Sequence, residues 1–162
     1  MIKILFTALV VISLMVSAEE VETVKIVYDV PESVEVKKQQ NDFVSFHWGG
    51  GNVMIVYPFP VAISKDMLPE YADRMMEGFR KQIAKTEGLK IVKRERNKLK
   101  IGAFEGFELS FVLDSTEAKA SVYQKMYLLR SGDSTYNGQL TCIDNKQLEV
   151  ANKILDSSKV KP

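Results

Sequence analysis

Two side chains dominate any search for chemistry in this sequence, because Cys142 is the only cysteine and His47 the only histidine in 162 residues. Metal sites built on imidazole use two or more histidines, and a nucleophile triad needs its base beside the nucleophile. The one pairing the residue types permit is a Cys142–His47 dyad. A reactive thiol requires an electropositive, partly open setting, whereas Leu140-Thr141-Cys142-Ile143 reads as a strand that buries its small side chain. Cys142 is therefore read as a core residue, and neither a metal nor a cofactor is expected.

Gly49-Gly50-Gly51-Asn52 has the glycine content of a phosphate-binding loop. It lacks the Lys-Ser/Thr step and the following helix whose amides would face a phosphate, so it is read as a hairpin turn. Phe46, His47 and Trp48 precede that turn, and Tyr57 and Phe59 lie at the far end of the returning strand. Aromatic residues with a polar handle recur at recognition surfaces, which makes these five candidate partner contacts. The competing reading, preferred for a domain of this size, puts them in the core. Lys90, Lys93, Arg94, Arg96, Lys98 and Lys100 form a basic strip interrupted only by Glu95. Lys93, Arg94 and Arg96 are its candidate contacts for an acidic partner. The preferred alternative is a lysine-rich edge strand, on which charge blocks unwanted pairing. Among the carboxylates, Asp66, Glu70 and Asp73 line the start of a helix and Glu105 and Glu108 alternate on a strand, so no pair stands out for acid–base work.

The elements that would position these residues follow from periodicity. Strands are expected over residues 24–30, 43–48 and 53–59, the last apolar throughout residues 53–57 and so expected to be covered on both faces. Leu68, Tyr71, Ala72, Met75, Phe79 and Ile83 recur at spacings of three and four, predicting a helix capped by Ser64 or Asp66 and running to about residue 86, with Gly88 as its terminator. Glu70 with Arg74 and Glu77 with Lys81 would form pairs on its outer side. Strands over 89–96, 101–113 with a break near Gly106, 121–130 and 135–143 should follow, with Asn137-Gly138 an alternative hairpin turn. A last helix from Asp144 carries Gln147 in a capping-box position and buries Leu148, Ala151, Ile154 and Leu155; residues 159–162 should fray. Short turns between consecutive strands predict an α+β fold, with an antiparallel sheet of six to seven strands, one long central helix and a C-terminal helix.

The N-terminus has the three parts of a secretory signal: Lys3, an apolar run from Ile4 to Val16, and small residues at Ser17-Ala18. The run is shorter than the roughly 20 residues of a spanning helix. The expected organisation is a signal over 1–18, an N-terminal extension with a weak strand over 19–42, one α+β domain over 43–158 and a tail over 159–162. The product would be exported, periplasmic or secreted, and soluble without a transmembrane anchor. Of 22 Lys and Arg, cleavage removes Lys3, leaving 21 against 21 Asp and Glu. That balance argues against nucleic acid and anionic membranes as main partners. A single cysteine forbids an internal disulfide, so the core must hold the fold unaided.

The long helix after Tyr57-Pro58-Phe59-Pro60, the stretch Ile101-Gly102-Ala103-Phe104-Glu105-Gly106-Phe107-Glu108, the strand around Tyr136 to Thr141 and a helix ending Ile154-Leu155-Asp156-Ser157-Ser158 occur in an order that resembles the PsbP/DcrB-like family over about residues 43–158. The resemblance rests on one glycine before a strand, one tyrosine in the last strand and two serines closing the last helix. It lacks the Gly-Trp element of many members and the lipoprotein cysteine of some. The resemblance implies a PsbP-like fold and an exported accessory or binding protein without known catalysis, and it transfers no functional residue. The leading expectation is thus a non-catalytic envelope module that binds another envelope protein. A carrier of a small apolar ligand, held between the sheet and Met67, Met75 and Met76, is the second expectation. A small hydrolase comes third.

Overall fold

The structure is a computed structural model that describes residues 18–22, 25–38, 43–116, 119–142 and 144–161. The expected leader lies outside these residues except for Ala18, as do Val24, Ile143 and Pro162. In chain order the elements are β1 Ala18–Glu22, β2 Ile26–Pro31, β3 Glu35–Lys38, β4 Val44–Trp48, β5 Asn52–Pro58, α1 Leu68–Ile83, β6 Leu89–Ile101, β7 Phe104–Ser115, β8 Ala120–Ser131, β9 Ser134–Cys142, α2 Leu148–Asp156 and β10 Lys159–Val160. Seven strands form one antiparallel sheet in the order β3-β4-β5-β9-β8-β7-β6, and β1, β2 and β10 form a smaller one. The fold is α+β.

Alternation along the strands divides the core in two. Phe107, Leu109, Phe111 and Leu113 of β7, with Leu128 of β8, point to one face and meet Leu68, Ala72 and Ile83 of α1. Phe79 of α1 packs on Phe111 with ring centroids 4.4 Å apart, and Met75 and Met76 fill the same interface. On the other face, Phe46, Met54, Val56, Tyr127, Leu129 and Leu140 meet Ile26, Tyr28 and Val30 of β2 and Ala151, Ile154 and Leu155 of α2. Helix α1 thus covers the β6–β8 half of one face, while the small sheet and α2 cover mainly the opposite half of the other. Each face is left partly open on alternate halves.

Several local expectations are corrected. The N-cap of α1 is Met67, with no side-chain cap; the Met67 amide donates to the Ser64 carbonyl at 3.0 Å, and the helix ends at Ile83, ahead of Gly88. Asp144 does cap the last helical segment, its Oδ1 accepting from the Lys146 amide at 2.9 Å, but Gln147 makes no capping bond and the chain enters α2 through a short 3₁₀ turn. Strand β6 continues past Arg96 through residues 97–100, which the expected strands left between them, so the whole basic strip is strand. Asn137 and Gly138 lie inside β9, paired with Tyr57 and Val56, and do not form a turn. The segment from Lys159 does not fray, because Lys159 and Val160 pair with Val27 and Ile26. Strand β5 is buried on one face only: Met54 and Val56 face the core, while Val53, Ile55 and Tyr57 stay half-buried.

The residues that carried the family resemblance gather at one corner. Gly102 turns β6 into β7 with φ +51°, and an added Cβ would stand 2.4 Å from the Leu155 carbonyl oxygen at the end of α2. The Ala103 amide donates to Ser158 Oγ at 3.0 Å, and the Asp29 amide donates to Ser157 Oγ at 3.0 Å. Phe104 packs edge-on to Tyr136 with centroids 5.6 Å apart. These residues therefore lock α2 onto both sheets, which is a structural task.

Candidate interaction surfaces

Register places the β4–β5 aromatics on opposite faces. Phe46 pairs with Met54 and Trp48 with Asn52, and both ring systems join the core; Phe46 is 0% and Trp48 7% exposed. Phe46 and Trp48 are therefore unavailable to a partner, and Trp48 Nε1 finds no hydrogen-bond partner among the described residues. His47 projects the other way, its Nε2 2.9 Å from Ser45 Oγ. On that same open face Tyr57 stacks with Phe43 at 6.1 Å and its hydroxyl accepts a hydrogen bond from Asn137 Nδ2 at 2.8 Å. Phe59 sits further along, edge-on to Tyr71 of α1 at 6.2 Å. His47, Val53, Ile55, Tyr57 and Phe43 thus form a half-buried apolar patch on a half-sheet that α1 does not reach. Period two in β4 already contained this split, since residues 46 and 48 must share a face that 47 cannot.

The same geometry removes the Cys142–His47 dyad. Strand β5 separates β4 from β9, and the Cys142 thiol belongs to the core with Phe46 while His47 faces away from it. Burial pushes the Cys142 thiol up to about 11, opposed by nearby Lys125 and assisted by Asp144. Native Cys142, 1% exposed, should resist iodoacetamide at neutral pH and react quickly once the chain is unfolded. The unfolded thiol ionises first, near the ordinary value of about 8.5. This group therefore favours folding below that pH and loses its contribution as pH rises toward 11; a pH series of chemical melts reads the slope.

Lys93, Arg94 and Arg96 are exposed along β6, the outermost strand. Lys93 pairs with Glu95 at 2.8 Å, and Arg96 pairs with Asp73 of α1 while lying 5.4 Å from the Phe107 ring centroid. Arg94 lies close enough to help hold the Glu77 carboxyl down to about 2, an effect led by the hydrogen bond from Arg80. At the end of β6, Leu68, Pro69, Leu99 and Phe107 wall a groove of about 370 Å³ rimmed by Lys65, Lys98 and Lys100. On the opposite face a polar recess of about 260 Å³ contains the Lys125–Glu108 pair at 2.8 Å, with Ser110 Oγ donating to the same carboxylate at 2.9 Å.

The carboxylates considered for acid–base work are all engaged. Glu105 is held by Lys65 at 2.8 Å and Arg130 at 3.5 Å, Glu70 by Arg74, and Asp73 by Arg96. A side-chain hydrogen bond from Ser64 lowers Asp66. Among the described residues no three His, Cys, Asp or Glu side chains gather as a metal cluster, and no helix is long and apolar enough to cross a membrane.

Comparison with known proteins adds the fold's relatives. No family model matches the chain, and no curated protein matches it. The fold is similar to cyanobacterial PsbP, CyanoP, of Synechocystis, at TM-score 0.54 and 10% identity over 92% of this chain and 95% of that one. It is also similar to LpqN of Mycobacterium tuberculosis, a protein involved in cell envelope biogenesis, at TM-score 0.50 and 12% identity over 91% and 92%. A Bacteroides thetaiotaomicron protein matches at TM-score 0.53 and 8% identity over 85% of this chain, which spans only 45% of that protein.

Proposed function

We propose that the chain is an exported, non-catalytic accessory module of the cell envelope that acts by docking a partner protein. The carrying observation is the alternate covering of the central sheet, which leaves the Phe43–Val53–Ile55–Tyr57 patch half-exposed beside His47. An apolar patch with a polar rim is what a transient protein interface requires. The signal-like N-terminus, the PsbP-like fold and the involvement of LpqN in cell envelope biogenesis support the same reading. The engaged carboxylates and buried thiol give a hydrolase no working groups among those considered.

A carrier reading draws on one observation, the apolar-walled groove near Leu68 and Phe107. The space expected to hold its ligand, beneath the methionines of α1, is instead filled by Met75, Met76 and Phe79, while Met67 is 39% exposed. Photocrosslinking residues placed at Ile55, Tyr57, Lys98 and, as a control, Lys153 test the proposal in the intact envelope. A discrete protein adduct from Ile55 or Tyr57, absent from Lys153, is the expected result. Failure of every position to form a protein adduct would remove the docking reading.

A further inference from the structure

Strand β6 is unusual for an edge. Its 13 residues extend the outer rim of the sheet over about 40 Å, whereas β3 at the opposite rim has four. An edge strand presents unpaired amides and carbonyls, and proteins normally keep such edges short, bulged or covered. The bulge between Ile91 and Lys93 interrupts only the first part of β6, with Val92 49% exposed; from Lys93 to Ile101 the pairing with β7 is regular. Among the described residues no strand lies on its outer side.

Charge is concentrated on the same strand. Six Lys and Arg and one Glu stand within β6, in a chain whose net charge is +1. Lys93 and Arg96 have ion-pair partners, and Lys100 stands opposite Glu105, whose carboxyl is held down first by Lys65 and less by Arg130 and Lys100; Lys90 and Lys98 close no ion pair among the described residues. Such a strip repels a second copy of itself, which disfavours self-pairing through β6 and favours a partner of opposite sign. The groove completes the arrangement: it opens beside the regular end of the strand, with apolar walls from Leu68, Pro69 and Phe107 and with Lys65, Lys98 and Lys100 at its rim, Lys65 paired there with Glu105.

Resting on the accessory-module reading, we propose that the β6 edge binds an extended acidic segment of a partner protein. The segment adds an eighth strand to the sheet and seats one apolar side chain in the groove beside Leu68 and Phe107. Main-chain hydrogen bonds along the edge hold it, the lysines select its carboxylates, and the groove fixes its register. Edge protection alone explains a lysine or two, but it does not explain an apolar receptacle at the end of the charged strip.

The probe is a fluorescein-labelled nonapeptide of alternating Glu and Val with a central Phe, titrated by anisotropy into protein purified from its own compartment. Binding should weaken as salt rises, fall at least tenfold for Lys98→Glu/Lys100→Glu, and disappear when alternate peptide amides are N-methylated. Hydrogen exchange should slow over residues 89–101 on binding and stay unchanged over 43–58. The N-methylated peptide is tested on the unaltered protein, so that arm holds even if the double variant misfolds. No binding at millimolar peptide, undiminished binding of the N-methylated peptide, or protection confined to 43–58 would each overturn the β6 assignment. Crosslinks from Tyr57 alongside any of those results would leave the module reading standing, whereas their absence bears on that reading and not on the peptide.

Discussion

Replacing Trp48 with alanine should cost roughly 3–5 kcal/mol, the usual range for deleting a buried large aromatic side chain. Trp48 is 7% exposed at the end of β4 and belongs to the cluster containing Phe46, Tyr28 and Val30. Removing the indole leaves a cavity between the central sheet and the β2 sheet, because the surrounding strands are held by their ladders and collapse only partly. The ring nitrogen has no described partner, so no hydrogen bond is lost with it. Trp48→Phe should consequently stay within about 1.5 kcal/mol of the parent, since it keeps most of the ring and removes a buried unpaired donor. Urea unfolding of both variants checks this. An alanine variant as stable as the parent would mean that Trp48 is a surface group after all.

Gly102→Ala should be as damaging, for a backbone reason. With φ +51° this residue is left-handed, a conformation that costs an L side chain about 1–2 kcal/mol. The new Cβ would also stand 2.4 Å from the Leu155 carbonyl oxygen and from Ser158 Oγ, and 2.8 Å from the Asp156 carbonyl oxygen. Two of these neighbours are main chain at the end of α2, so relief requires the helix to lift away from the turn. Strain plus overpacking gives an expected loss of about 3–5 kcal/mol. For a chain of this length that is a fall of roughly 10 °C or more in melting temperature by calorimetry. Gly49→Ala is the control: an added Cβ there meets nothing within 4 Å, and little change is expected.

The parts of the fold legible in the sequence were those specified locally. The stripe of α1 encodes its own buried face, and alternation in Phe107, Leu109, Phe111 and Leu113 encodes that of β7. The parts that were not legible depend on pairing with distant chain. β3 is Glu-Val-Lys-Lys and β10 only Lys-Val, and neither composition announces a strand; both exist because β4 and β2 offer open ladders. The basic run in β6 reads as a lysine-rich edge strand, and β6 is the outermost strand; only its continuation through residues 97–100 was not legible, since an edge strand exposed along its length needs little apolar patterning. Strand β5 misled differently: Val53, Ile55 and Tyr57 are as apolar as a doubly covered strand requires, yet no described helix packs on their side. That mismatch between apolar side chains and incomplete cover is the strongest sign of a docking surface in the hairpin region.

Candidate contacts divided along the same line. His47, Tyr57, Phe59, Lys93, Arg94 and Arg96 retain accessible side chains, and Phe46 and Trp48 do not. The groove beside Phe107 was invisible because Lys65, Leu68, Leu99 and Phe107 come from three separated segments, brought together only by the packing of α1 on β6 and β7.

Native mass spectrometry of the protein, purified from its own compartment without detergent, tests most directly whether it docks a protein or carries a small ligand. Docking predicts the mass of the polypeptide alone, or that mass plus a protein subunit. A discrete small-molecule increment that disappears on denaturation would contradict it and make the chain a carrier.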